Sequence, residues 1–162
     1  DFAMAWIDHG PEAKDASYEY VSVLEADSAE MDAIAAKPFY SVKRKDDRTH
    51  AVLVPGEKLW SLVNFQPLEK PLGPFISISQ PSLVLMQQLS GSVIRISVTD
   101  PSLKLDKRST AEPVDVLLEI KGRFKLAGQP IEGVTVEIAG NNTVLTVRCA
   151  EGEATAVTLK SN

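Results

Sequence analysis

At 162 residues the chain is long enough for one domain plus a fragment of another, and a chain of this size buries roughly 70% of its unfolded surface without staples. Asp and Glu outnumber Lys and Arg by 22 to 17, giving a net charge of −5 with no long basic run. Phosphate neutralisation is therefore not available over a broad surface, which excludes nucleic acid as a partner. No apolar run reaches the ~18 residues that span a bilayer, so no membrane span is expected. The single Cys149 excludes an internal disulfide and lies in an alternating run, where a buried or edge thiol is expected.

The chain opens on Phe2 to Ile7 and continues with Ala16 to Leu24, two apolar and aromatic runs around an Asp8-His9-Gly10-Pro11 break. They read as a strand pair joined by a loop. Two strands cannot cover both faces of a sheet, so the pair is expected to be the end of a larger domain, with Asp1 a cut end. Ser28 to Ala36 predicts a short helix capped by Ser28, with Met31, Ile34 and Ala35 on one face and Pro38 as its stop.

Strand signals then follow one another. Ser41–Arg44 and Thr49–Val54 flank the polar turn Lys45-Asp46-Asp47-Arg48, predicting a hairpin, and Lys58–Phe65 predicts a strand ended by Pro67. Phe75–Ser79 alternates with period two, which places Phe75, Ser77 and Ser79 on one face and Ile76 and Ile78 on the other. Leu83–Gln88 and Val93–Val98 flank Ser90-Gly91-Ser92 and predict a hairpin whose core face holds Leu83, Leu85, Ile94, Ile96 and Val98. Thr99-Asp100-Pro101 stops it. Val114–Ile120, Val134–Ile138, Thr143–Cys149 and Thr155–Lys160 complete the set, with Gly140-Asn141-Asn142 as a tight turn. The fold class is all-β: an antiparallel sandwich over residues 41–162, a helical linker over 26–40, and the closing strands of a truncated central β domain over 1–25.

Trp6-Ile7-Asp8-His9-Gly10-Pro11, then Ala16-Ser17-Tyr18-Glu19-Tyr20-Val21, resembles the closing strands of the central β domain of polysaccharide lyase family 8, the chondroitin, hyaluronate and xanthan lyases. The resemblance continues in order through Ser28–Pro38, His50-Ala51-Val52, Leu59–Phe65, Ser79–Met86 and Ile96–Pro101, covering about residues 1 to 105. His50-Ala51-Val52, in place of a Gln-Ala-Val of the hyaluronate and AC branches, leans toward ABC-type chondroitin lyases. The family implies a secreted or periplasmic bacterial enzyme that breaks uronate polysaccharides by β-elimination. That reaction needs a group to neutralise the carboxylate, a base for the α proton and an acid for the leaving oxygen. In the family those groups are Asn, His, Tyr and Arg of a preceding helical region, assisted by a Glu of the central β domain, and all would precede Asp1. The resemblance therefore implies a scaffold role, with upstream domains of the same polypeptide as partners and acidic polysaccharide met through the parent enzyme. No catalytic residue is assigned, substrate-binding residues are unassigned, and neither a cofactor nor a metal is expected.

Residues of suitable chemistry have plainer readings. Tyr18 and Tyr20 share a strand face and are expected to pack, His9 to serve a turn, and His50 to be half-buried with a partner. Asp8, Asp15, Asp46 and Asp47 match no calcium-loop spacing. Lys43, Arg44, Lys45 and Arg48 form the one compact basic cluster, expected to be a solvated hairpin. Trp60 is expected in the core, and Asn141-Asn142-Thr143, though a glycosylation sequon, is expected to be a turn. The rival function, a free-standing carbohydrate-binding or interaction sandwich, has few aromatic residues to use, at 6% of the chain.

Overall fold

A computed structural model describes residues 10–12, 14, 17–101 and 112–162. The chain divides into two units, 1–38 and 39–162. In the first, α1 (Ser28–Ala36) begins at Asp27, whose extended backbone leaves its side chain free to cap. The Glu30 N–H donates to Asp27 Oδ1 (2.8 Å) and the Asp27 N–H donates to Glu30 Oε2 (3.0 Å), a reciprocal capping box. The cap is thus Asp27 and not Ser28, which already lies inside the first turn. Met31 and Ile34 are half-buried while Ala35 is exposed. The first expected strand, over 2–7, lies outside the described residues. Residues 17–23 of the second form no ladder with any described strand, so they are not a strand here.

The second unit is two antiparallel sheets. The large one takes β1 (Ser41–Lys45), β2 (Thr49–Val54), β3 (Leu59–Asn64), β5 (Ser82–Gln88), β6 (Val93–Thr99), β11 (Thr155–Ser161) and β8 (Phe124–Leu126), in that order. The small one takes β4 (Phe75–Ile78), β7 (Val114–Lys121), β10 (Asn142–Cys149) and β9 (Val134–Ala139). Their inner faces share one core: Leu62, Val84, Ile96, Val98, Val157 and Leu159 from the large sheet meet Phe75, Ile78, Val116, Leu118, Ile120, Leu145 and Val147 from the small one. Two amphipathic sheets that bury their apolar faces against each other form a β-sandwich, as the alternation of the strands predicts.

Two strands depart from the expected faces. In β5 the buried side chains are Ser82, Val84 and Met86, while Leu83 and Leu85 are 37% and 47% exposed. The cause is the register with β6: Val84 pairs with Val98 and Met86 with Ile96, so even numbers face even numbers. Leu89 and Val93 close the hairpin, since the Leu89 N–H donates to the Val93 carbonyl at 2.9 Å. The three residues between them preserve that parity. The expected core face was right for Ile94, Ile96 and Val98 and wrong for Leu83 and Leu85.

In β4, Phe75 pairs with Ile120 but Ser77 with Glu119, so one residue is extra and a bulge forms at Ile76. The bulge shifts the side-chain parity, which lets Phe75 and Ile78 both point into the core in place of the expected separation. The outer edge of β4 is covered by the chain before it, as Leu68 and Ile78 exchange backbone hydrogen bonds of 2.9 and 3.0 Å. That coverage removes an open edge.

The short β8, not foreseen in the sequence, is fixed by Thr143. Its buried hydroxyl accepts from the Phe124 N–H (2.8 Å) and donates to the Gly122 carbonyl (2.7 Å).

Candidate functional site

The compact basic cluster lies on the β1–β2 hairpin. Between the strands the chain turns through Asp46, whose Oδ1 accepts from the N–H groups of Arg48 (2.9 Å) and Thr49 (2.8 Å). Its Oδ2 takes the Arg44 Nε at 2.6 Å, and Arg48 lies 3.6 Å from Glu69. The Arg44 hydrogen bond, opposed by desolvation and reinforced by those two backbone donors, holds the Asp46 carboxyl down to about 2. Asp46 is therefore ionised throughout the neutral range and cannot shuttle a proton. Both guanidinium groups of the cluster have carboxylate partners, and the hairpin is the solvated feature that the sequence suggested.

His50 follows on β2 with its side chain outward and exposed; its ring meets the edge of Phe65 at 5.2 Å and 85°. It was expected half-buried, but the odd-numbered neighbours Thr49 and Ala51 take the inward positions and leave His50 on the outside. Tyr18 and Tyr20 stack on each other at 6.1 Å, and they do so exposed at 59% and 73%. A shared side was expected and is present; a packed environment is not. His9, Asp8, Asp15 and Trp6 lie outside the described residues. Among the described residues no group of three or more His, Cys, Asp or Glu side chains gathers as a metal site would.

A cleft of about 450 Å³ opens beside Trp60, between Leu53, Pro74, Met86 and Phe124, with Lys58 and Gln88 on its rim. It is apolar, but its aromatic ring is already engaged. Trp60 meets Phe75 edge to face at 6.5 Å, and Gly73, at φ +58°, lies so close that a Cβ there would come within 2.4 Å of the indole. Trp60 packs on the core as a wedge at its margin, close to the expected core position. The side of the indole that Gly73 covers is closed to a stacking sugar.

Inside the sandwich, Thr49, Asn64 and Ser82 sit side by side on β2, β3 and β5, all buried. The Thr49 hydroxyl donates to Asn64 Oδ1 at 3.2 Å. The alternation Thr49, Asn64, Ser82 was visible in the sequence only as polar strand ends. Cys149 is buried as expected, its thiol donating to the Val147 carbonyl at 3.8 Å, and burial pushes its pKa up. A thiol so protonated and enclosed is a poor nucleophile.

The described residues thus bring together no base, acid and carboxylate-neutralising group of the kind β-elimination requires. No helix among them is long and apolar enough to cross a membrane.

Comparison with known proteins places this architecture. The profile of "Polysaccharide lyase family 8, C-terminal beta-sandwich domain" matches residues 41–109, which run through β1 to β6. The chain is 30% identical to the chondroitin sulfate ABC endolyase of Proteus vulgaris over 151 residues, covering 90% of this chain and 15% of that protein. It is 27% identical to the chondroitin sulfate ABC exolyase of Bacteroides thetaiotaomicron, covering 99% of this chain and 18% of that one. The chain therefore spans less than a fifth of these relatives. Among solved structures, a chondroitin AC lyase of Streptomyces coelicolor A3 matches 85% of this chain with a TM-score of 0.67 at 19% identity. A Paenibacillus xanthan lyase matches the same share with a TM-score of 0.68 at 15% identity. Profile, relatives and fold agree, and the chain belongs to polysaccharide lyase family 8 through its C-terminal β-sandwich domain.

Proposed function

We propose that the chain is the non-catalytic scaffold at the C-terminal end of a secreted or periplasmic bacterial lyase that cleaves chondroitin-sulfate-type polysaccharide by β-elimination. The observation that carries this reading is the 30% identity across nine-tenths of the chain to a chondroitin sulfate ABC endolyase. In that reaction a base takes the proton next to the uronate carboxylate, the bond to the 4-linked oxygen breaks, and that oxygen leaves with a proton from an acid. An unsaturated uronate remains. Several described side chains are poorly placed for those roles: Asp46 is held as a carboxylate, Cys149 is enclosed, and Arg44 and Arg48 of the β1–β2 hairpin are paired.

In the same reading, residues 1–25, whose described part forms no ladder here, pair as closing strands only with a preceding β domain, 26–40 are a linker, and 41–162 the sandwich. Upstream domains of the same polypeptide are its partners, and acidic polysaccharide is met through them. A net charge of −5 agrees with a part that does not itself grip a polyanion. The test is the ultraviolet absorbance of unsaturated uronate on chondroitin sulfate. The polypeptide encoded by the complete reading frame should generate product and the 162-residue chain none; sustained turnover by the 162-residue chain would refute the scaffold role.

A further inference from the structure

The two outer faces of the sandwich differ in chemistry. On the small sheet the outward positions carry Asp115 opposite Arg148, Glu119, Lys121 and Glu137, and Asn142 Nδ2 donates to Glu119 Oε1 at 2.8 Å. Such a face suits water. On the large sheet, rows across β2, β3, β5 and β6 read His50, Val63, Leu83, Thr99 and Val52, Ser61, Leu85, Ser97. A third row ends at Arg95, the one formally charged outward side chain across these four strands, in a chain that is 24% charged.

Antiparallel sheets with one solvated face alternate apolar and polar along each strand. β5 does not: Leu83, Val84, Leu85 and Met86 are apolar toward both faces. Depletion of charge with an apolar centre is the composition of the buried middle of an interface, and a contiguous apolar patch on a sheet face marks a contact. We propose that the outer face of β2, β3 and β5, centred on Leu83 and Leu85, is a permanent docking surface for an apolar face of a preceding domain of the same polypeptide. The occupant rests on the scaffold reading above: the matched part is 15% and 18% of the two curated relatives, leaving 85% and 82% of their length outside it. A domain joined covalently is present at high effective concentration, which suits a surface this apolar better than an encounter with a separate molecule.

The experiment is photochemical carbene labelling of side chains, read by mass spectrometry, on the 162-residue chain and on the complete polypeptide. Leu117, 42% exposed on the outer face of the small sheet, is the internal control. Leu83 and Leu85 should be labelled in the 162-residue chain and shielded at least fivefold in the complete polypeptide, with Leu117 labelled equally in both. Shielding of Leu117 with Leu83 and Leu85 unchanged would overturn the proposal by naming the wrong face. Shielding of Leu83 and Leu85 that rises with the concentration of the 162-residue chain alone would overturn it in favour of a second copy. Shielding in a complete polypeptide that has no lyase activity would leave the docking surface standing and remove the functional reading instead.

Discussion

Truncation of Ile96 and of Leu85 should separate sharply, although both are large aliphatic residues on the same hairpin. Ile96 is fully buried, opposite Met86 on one side and Val157 on the other. Removing its side chain beyond Cβ deletes transfer energy and leaves a cavity between two sheets that cannot close on it. Such changes cost ~2–5 kcal/mol. Leu85 is 47% exposed on the outer face, so about half of the ~1.5–3 kcal/mol associated with burying a whole Leu is at stake, and no enclosed cavity forms. About 1 kcal/mol is expected for Leu85→Ala. Arg95→Ala, outward and exposed, should stay within ~0.5 kcal/mol. With a urea m-value of ~2 kcal/mol/M, Ile96→Ala lowers the midpoint by ~1–2.5 M and Leu85→Ala by ~0.5 M. Urea titrations of the 162-residue chain followed by circular dichroism measure both. A midpoint for Leu85→Ala at or below that of Ile96→Ala would refute the register and the core it defines.

Gly73→Ala should destabilise by more than ~1 kcal/mol, because the residue is left-handed at φ +58° and its new methyl would drive into the Trp60 indole; a shifted Trp emission should accompany the loss. The Asp46 carboxyl, followed by NMR, should titrate near 2, and Arg44→Ala should bring it back toward 3.8. Because the folded value lies below the unfolded one, the stabilisation that Asp46 contributes is complete above about 3.8 and is lost as pH falls toward about 2.

The strands of the sandwich were legible because each alternates between turn residues: the Asp46-Asp47 turn, Ser90-Gly91-Ser92 and Gly140-Asn141 all join adjacent antiparallel strands in the structure. What failed has physical causes. The bulge at Ile76 adds a residue that no period reveals, and β8 spans three residues, too few for alternation to register. Leu83 to Met86 offers apolar residues to both faces, so hydrophobicity alone could not choose between them. The turn could have: Leu89 opposite Val93 requires Met86 opposite Ile96. The same two-sided run was the sequence signal for the outer apolar face. At the candidate site, the pairing of Arg44 with Asp46 was close to hand in Arg44-Lys45-Asp46-Asp47-Arg48, whereas the Gly73 contact that covers one side of Trp60 joins residues 13 apart and needed the fold.

The scaffold role is tested most directly within the complete enzyme by replacing the side chains of this chain that could move a proton. Removal of a general acid or base typically costs 10²–10⁴-fold in rate. His50→Ala, Tyr18→Phe and Tyr20→Phe, assayed on chondroitin sulfate, should each leave kcat within about twofold of the parent. A hundredfold or greater fall in kcat for any one of them, in a variant with unchanged thermal stability, would contradict the account.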